Sequence, residues 1–271
     1  MNQAKRTRII ASSCLIGGFV FLIAVWYLVS AILLSQGNSV LPYPHEALRR
    51  MVYFLFGGDA PRTWGAIGWT FLRLLIGFVT AFVVASILGS LAGLFPNVKR
   101  FLFASVGVAK VIPTAAVVVV LITIFSGPKN RTALSFIPAM LVFLVAFPLI
   151  YEAFAKGVEE LDESIENALS LDNGKKRFKS LIRVYLPNAL PYITLSLAQG
   201  LGLSMKVAIM SEALTANGSS NPGVGGLMVL ANQIGDVEDI ASYALLSLIL
   251  MLLLDIPFFV LKAKQKKAEG K

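Results

Sequence analysis

The chain has 271 residues, of which 56% are apolar and 14% charged, and it carries a formal net charge of +9. Ordinary globular domains run at about 45–50% apolar and about 25% charged; with a mean hydropathy of +0.76, a soluble core of this size cannot hide so much apolar side chain, so lipid is the solvent for most of it. That arithmetic disfavours a soluble enzyme, a disordered scaffold and a disulfide-stapled secreted module. The single Cys14 forms no internal disulfide, the single His45 removes His-x-x-x-His zinc pairs, and no Gly-x-x-x-x-Gly-Lys-Ser/Thr loop is present to cradle nucleotide phosphates.

Hydrophobic runs of about 20 residues mark spanning helices, and six are expected. The first runs from Ile9 to Leu34 without a charge and is too long for the core of a cleaved signal sequence. An external segment follows, Ser35–Thr63, in which His45 to Phe56 predicts a short helix. Its Leu48, Met51, Val52 and Leu55 recur at helical spacing, as on a helix lying at the membrane surface or against a partner protein. The second span is Trp64–Phe95, broken only by Arg73. The loop Pro96–Arg100 leads to the third, Phe101–Phe125, which contains Lys110 and Pro113. The fourth is Ala133–Ala155, with Pro138 and Pro148 as potential kinks; the fifth is Leu190–Leu214, with Lys206 and Glu212; the sixth is Ile240–Leu261, with Asp255.

Placing both termini in the cytoplasm leaves sixteen Lys and Arg residues inside and five outside, as the positive-inside bias requires. The same placement argues against nucleic acid as a partner, because the basic residues flank spans.

The connection Gly157–Pro187 carries the most information. Acidic residues from Glu159 to Glu166 precede Asn173-Gly174, a turn signal, and basic residues from Lys175 to Arg183 follow it. A second short helix over Lys175–Tyr185 would set Phe178, Leu181, Ile182 and Tyr185 on one face, and Leu186-Pro187 would end it. A tether that only fixes topology has no need of an apolar stripe; such a stripe fits a protein groove.

These residues carry a likeness. Gly174, nine residues, Val184, one residue and Leu186-Pro187 resemble the second half of the EAA loop of ABC-importer permeases, whereas the Glu-Ala-Ala positions hold Ala168, Leu169 and Ser170. Further fragments resemble the nitrate/sulfonate/taurine type of that family. They are Leu41-Pro42-Tyr43-Pro44, Thr70-Phe71-Leu72-Arg73 with Gly77-Phe78, Val111-Ile112-Pro113 through Phe125-Ser126-Gly127, and Ser211-Glu212 with Gly223-Val224-Gly225. The resemblance covers residues 40 to 262. It implies an all-α, polytopic, type I ABC importer permease fold with six transmembrane helices, working as a pair of identical copies. Two cytoplasmic ATPase subunits would receive the paired loops through Gly174, Phe178, Leu181, Ile182, Tyr185, Leu186 and Pro187. An extracytoplasmic binding protein would deliver the solute: a sulfonate, nitrate, taurine or a thiamine-type precursor. On this reading residues 1–63 hold the tail, first span and external helix, 64–262 the permease core, and 263–271 a basic tail. The chain needs no cofactor or metal and catalyses no bond change. The rival is an ion-coupled secondary transporter, for which no internal repeat is visible.

Charges at membrane depth cost about 2.5–3.5 kcal/mol on insertion scales and face a cavity or a partner. Arg73 either lines the translocation path or holds the core through carbonyls. Lys110 snorkels, and Lys206 is the first choice for the pathway. Glu212 fixes the external loop or gate against a cation that the sequence does not name. Ser196 and Gly200 thin the fifth span where a gate would sit, and Ala85, Gly89 and Gly93 form a small-residue ladder suited to close helix packing within the chain.

Overall fold

The computed structural model describes residues 3–37, 39–125, 131–160, 180–217 and 219–269, and among these the chain is helical with no strand. The helices are α1 (Gln3–Ser35), α2 (Pro44–Phe56), α3 (Ala60–Leu94), α4 (Pro96–Val111), α5 (Thr114–Phe125), α6 (Arg131–Glu159), α7 (Leu186–Thr215), α8 (Val224–Ile234) and α9 (Val237–Glu269), with a π-helical turn at Leu181–Tyr185. Five helices are long and apolar enough to cross a bilayer, or six if α4 and α5 together form one bent span. The residues fall into two compact units, Met1–Trp64 with Met228–Leu246, and Gly65–Leu227 with Ser247–Lys271.

In the first unit, α1 is apolar from Ile9 on and its described side chains are barely covered: Phe21, Leu22 and Leu28 are 67, 64 and 61% exposed, as suits a lipid-facing helix. The carbonyl of Pro42 accepts hydrogen bonds from Trp26 Nε1 at 3.0 Å and Ser30 Oγ at 3.1 Å, pinning the entry to α2 against α1. Pro44 opens α2, where a missing N–H costs nothing, and the Glu46 carboxylate accepts the Tyr43 N–H at 2.8 Å. The buried face of α2 is Ala47, Met51 and Phe54, one residue out of phase with the expected stripe; Leu48 and Val52 are 50 and 45% exposed. Contacts with the first turns of α9 set that phase. Phe54 stacks on Tyr243 at 4.5 Å, Ser242 Oγ donates to the Ala47 carbonyl, and Arg50 pairs with Asp239 at 2.6 Å. The Asp239 hydrogen bond raises the Arg50 guanidinium above its ordinary pKa, against the lowering effect of burial.

The second unit is organised by small residues. Gly77, Ala81, Ala85, Gly89 and Gly93 recur every four positions on α3, one face of a helix. A Cβ on Gly77 would lie 2.3 Å from the Ala139 carbonyl oxygen of α6, and one on Gly89 would lie 2.6 Å from that of Tyr151. The ladder expected from Ala85, Gly89 and Gly93 thus packs α3 against α6 within the chain. Val118, Leu134, Ile137, Leu141 and Val207 join α5, α6 and α7 in one apolar cluster.

Four details depart from the sequence reading. Pro96–Arg100 is the first turn of α4 rather than a loop, because Pro96 sits at the helix start. The third span breaks at Ile112-Pro113, where α4 and α5 meet at 93°; Pro113 has no N–H for the carbonyl four residues back. By contrast α6 runs unbroken through Pro138 and Pro148. Leu186-Pro187 does not end a helix either. The Leu186 N–H reaches the Leu181 carbonyl, widening the turn, and Pro187 falls in the first turn of α7, where proline is tolerated. The segment 161–179, with the expected Asn173-Gly174 turn, lies outside the described residues.

Candidate functional site

The largest concentration of buried polarity in the second unit surrounds two charges. Arg73, on α3, is 1% exposed and Glu212, in the last turn of α7, is 2% exposed. Arg73 Nη1 lies 2.7 Å from Glu212 Oε1. Thr70 Oγ1, one turn before Arg73, stands 2.8 Å from Glu212 Oε2 and accepts the Val224 N–H at 3.0 Å. The Gly225 N–H adds a contact to Oε2 at 3.3 Å. The carboxylate therefore closes the N-terminus of α8, where free N–H groups and the helix dipole favour an anion.

The other end of the guanidinium holds the loop between α7 and α8. Arg73 Nη2 donates to the Asn221 carbonyl at 2.5 Å and stands 3.5 Å from Ser219 Oγ. Its charge lies 5.6 Å from the Trp69 ring centroid. Ser135 of α6 ties in from the side, with its Oγ 3.0 Å from Ser219 Oγ. Two glycines make room for the clamp. A Cβ on Gly223 would lie 2.0 Å from Glu212 Oε1, and one on Gly225 would lie 2.1 Å from the Ile209 carbonyl. The Gly-Val-Gly element is thus a close-approach device around a carboxylate.

Of the residues singled out from sequence, Arg73 and Glu212 come together; Arg73 is the cation that the sequence left unnamed. Ser196 is buried and its hydroxyl donates to the Leu149 carbonyl at 2.9 Å, joining α7 to α6. Gly200 is buried, but a Cβ there would meet Phe78 at an ordinary 3.4 Å. Lys206 is exposed, with no ion pair among the described residues. Leu181 and Leu186 are half-buried, Tyr185 is 6% exposed and Pro187 is exposed. Gly174, Phe178 and the Ile182 side chain lie outside the description. Sequence reasoning missed Ser135, Ser219 and the Asn221 carbonyl, since a loop carbonyl bears no sequence signature. The pairing itself had a signal: Arg73 is the only basic residue of its span and Glu212 the only acid of its own.

The arrangement is a structural clamp in a helical membrane protein, with its donors and acceptors turned on one another except for Arg73 Nε, which is buried without a partner. The family described as binding-protein-dependent transport system inner membrane component matches residues 81–267, and the chain belongs to it: this is a multi-pass inner-membrane permease of an ABC importer. It is 27% identical over 234 residues to the bicarbonate transport system permease protein CmpB of Synechococcus elongatus, covering 83% of this chain and 79% of that one. It is 24% identical over 204 residues to the taurine transport system permease protein TauC of Escherichia coli, covering 74% and 71%. In fold it is similar to a chain of the MetNI methionine ABC transporter in an inward-facing conformation. The TM-score is 0.56 at 20% identity, and the match covers 78% of this chain and 96% of that one.

Proposed function

We propose that two copies of this chain form the translocation pathway for a small anion or zwitterion, driven by a pair of cytoplasmic ATPase subunits and supplied by an extracytoplasmic binding protein. The permeases for bicarbonate and taurine among its relatives support that substrate class, and the excess of basic residues flanking one side of the spans supports cytoplasmic termini. The segment 157–187 is the coupling element, residues 64–262 are the permease core, and lipid surrounds both copies.

One observation carries the mechanism. From Ser180 the backbone stays helical through Tyr185 and on along α7 to Thr215. Of the proposed coupling residues (Gly174, Phe178, Leu181, Ile182, Tyr185, Leu186 and Pro187), those from Leu181 on therefore lead into the rod whose last turn holds Glu212. From Leu186 to Glu212 the path is about 40 Å by helical rise. A push at the ATPase end moves the Glu212 end of the same helix, and the Arg73–Glu212 clamp converts that movement into displacement of the loop over 219–223. Arg73 and Glu212 anchor the gate rather than line it, because both are buried and Nη1, Nη2 and both carboxylate oxygens are engaged within the chain, Arg73 Nε alone lacking a partner. Ser196 and Gly200 set the helix spacing beneath it. Lys206, exposed about two-thirds of the way along α7, is the charge offered to the solute across the pathway.

Proteoliposomes holding the permease, its ATPase and the binding protein test this. Leu181→Asp, at a half-buried position, should release the ATPase on purification. Glu212→Gln should keep the ATPase bound while abolishing stimulation of its hydrolysis by the loaded binding protein. Solute uptake driven by an ion gradient, with no ATPase present, overturns the reading.

A further inference from the structure

In the second unit α7 and α9 meet at a glycine. A Cβ on Gly202 of α7 would lie 3.0 Å from Asp255 Oδ1 of α9, so the missing side chain gives the carboxylate its seat. Gly202 lies about 20 Å by helical rise from the Thr215 end of α7, inside a hydrocarbon core ~30 Å thick. Asp255 is half-buried there and has no ion pair among the described residues. Lys206 stands one turn beyond Gly202, exposed and likewise without an ion pair among the described residues. A helical side chain at 206 leans back toward position 202. Gln199, one turn before Gly202, is exposed too. An open face of α7, with Asp255 at its edge, thus gathers an amide, a carboxylate and an ammonium within two turns. Acyl chains answer none of them, and charged groups at such depth face a cavity or a partner. Two opposite charges this close that leave each other unpaired point to a ligand between them.

We propose that Asp255 and Lys206 form the two ends of a solute subsite for a small zwitterion. Asp255 accepts from its primary ammonium, Lys206 donates to its oxyacid group, and the Gln199 amide stands beside both. One carboxylate and one ammonium give the subsite no net charge, so a zwitterion has each end answered. A plain anion meets Asp255 as a like charge and a plain cation meets Lys206, and repulsion of that kind is how a site rejects the wrong ligand. Gly202 belongs to the design, because any side chain there presses on the Asp255 carboxylate. The inference rests on the reading of α7 as a wall of the pathway, and it narrows the solute from an anion or zwitterion to a zwitterion.

The full-length chain in phosphatidylcholine nanodiscs tests this by saturation-transfer NMR with three matched probes: aminoethanesulfonate, ethanesulfonate and ethylamine. Aminoethanesulfonate should bind about tenfold tighter than either half-molecule, the scale of one charge-assisted hydrogen bond. Asp255→Asn should bring ethanesulfonate level with it, and Lys206→Gln should do the same for ethylamine. Equal binding of aminoethanesulfonate and ethanesulfonate by the unaltered chain overturns the proposal, as does binding of none of the three. So does a preference that survives Asp255→Asn, which leaves Asp255 a structural acid. Should a variant melt early, the preference of the unaltered chain decides. Gln199→Cys, in a chain whose lone Cys14 is replaced by Cys14→Ser, separates this inference from the pathway reading. Labelling by a membrane-impermeant thiol reagent, together with equal binding of the two sulfonates, sinks the zwitterion subsite and leaves the pathway standing. Absence of labelling sinks the pathway at this face, and the subsite with it.

Discussion

The two ends of the α3–α6–α7 packing handle charge in opposite ways. At one, Arg73 and Glu212 are 2 and 1% exposed at the side chain, and the carboxylate is gripped by α3 and the start of α8. At the other, Lys99 and Glu159 pair at 2.6 Å with side chains 46 and 49% exposed around an open cavity. The distances are alike and the energetics are not. A buried pair stripped of one partner leaves a stranded charge, whereas an exposed pair stripped of one partner regains water. Short ion-pair distance therefore says little without burial: the first end is built to hold its shape, the second to tolerate exchange.

Breaking one charge at the buried end should have the largest effect. Arg73→Met or Glu212→Leu alone should destabilise the chain by about 3–5 kcal/mol, read as a lowered melting temperature in detergent. The double variant should recover part of that loss; if it is as unstable as the sum of the singles, the clamp is not a coupled unit. Next comes the room the clamp needs. Gly223→Ala puts a methyl against Glu212 Oε1 and should cost about 1–3 kcal/mol, as over-packing does, and Gly89→Ala should cost a similar amount against the Tyr151 carbonyl. A melting curve unchanged by Gly223→Ala would mean that the loop is free to step aside. The smallest effect belongs to the open end, where Lys99→Ala should shift stability by less than about 1 kcal/mol and lose even that in high salt.

The same contrast explains what could be read from the sequence. Apolar runs marked every span because a bilayer demands about 20 residues of them. Proline was a poorer guide, since its effect depends on position. Pro113 breaks a span, Pro138 and Pro148 ride inside α6, and Pro187 sits at a helix start. For α2 the aliphatic spacing marked Leu48 and Val52, which stay exposed, and gave no sign of the buried Ala47–Met51–Phe54 face, whose contacts with the first turns of α9 set the rotation. In the site, Arg73 and Glu212 stood out as charges at depth, but their union is 139 residues long-range, and the Asn221 carbonyl that completes it is invisible to any reading of side chains. Lys206 stood out equally and has no ion pair among the described residues.

The right-angled corner at Ile112-Pro113 has a consequence for the company this chain keeps. Proline leaves the Ala109 carbonyl without its helical donor, and hydrocarbon tails offer none; irregular backbone at membrane depth survives only against protein or water. Fatty acyl chains are therefore the wrong neighbour for that elbow. A polarity-sensitive dye placed there should report a wet or proteinaceous setting, even though Val108 and Val111 just before it are bare and oily.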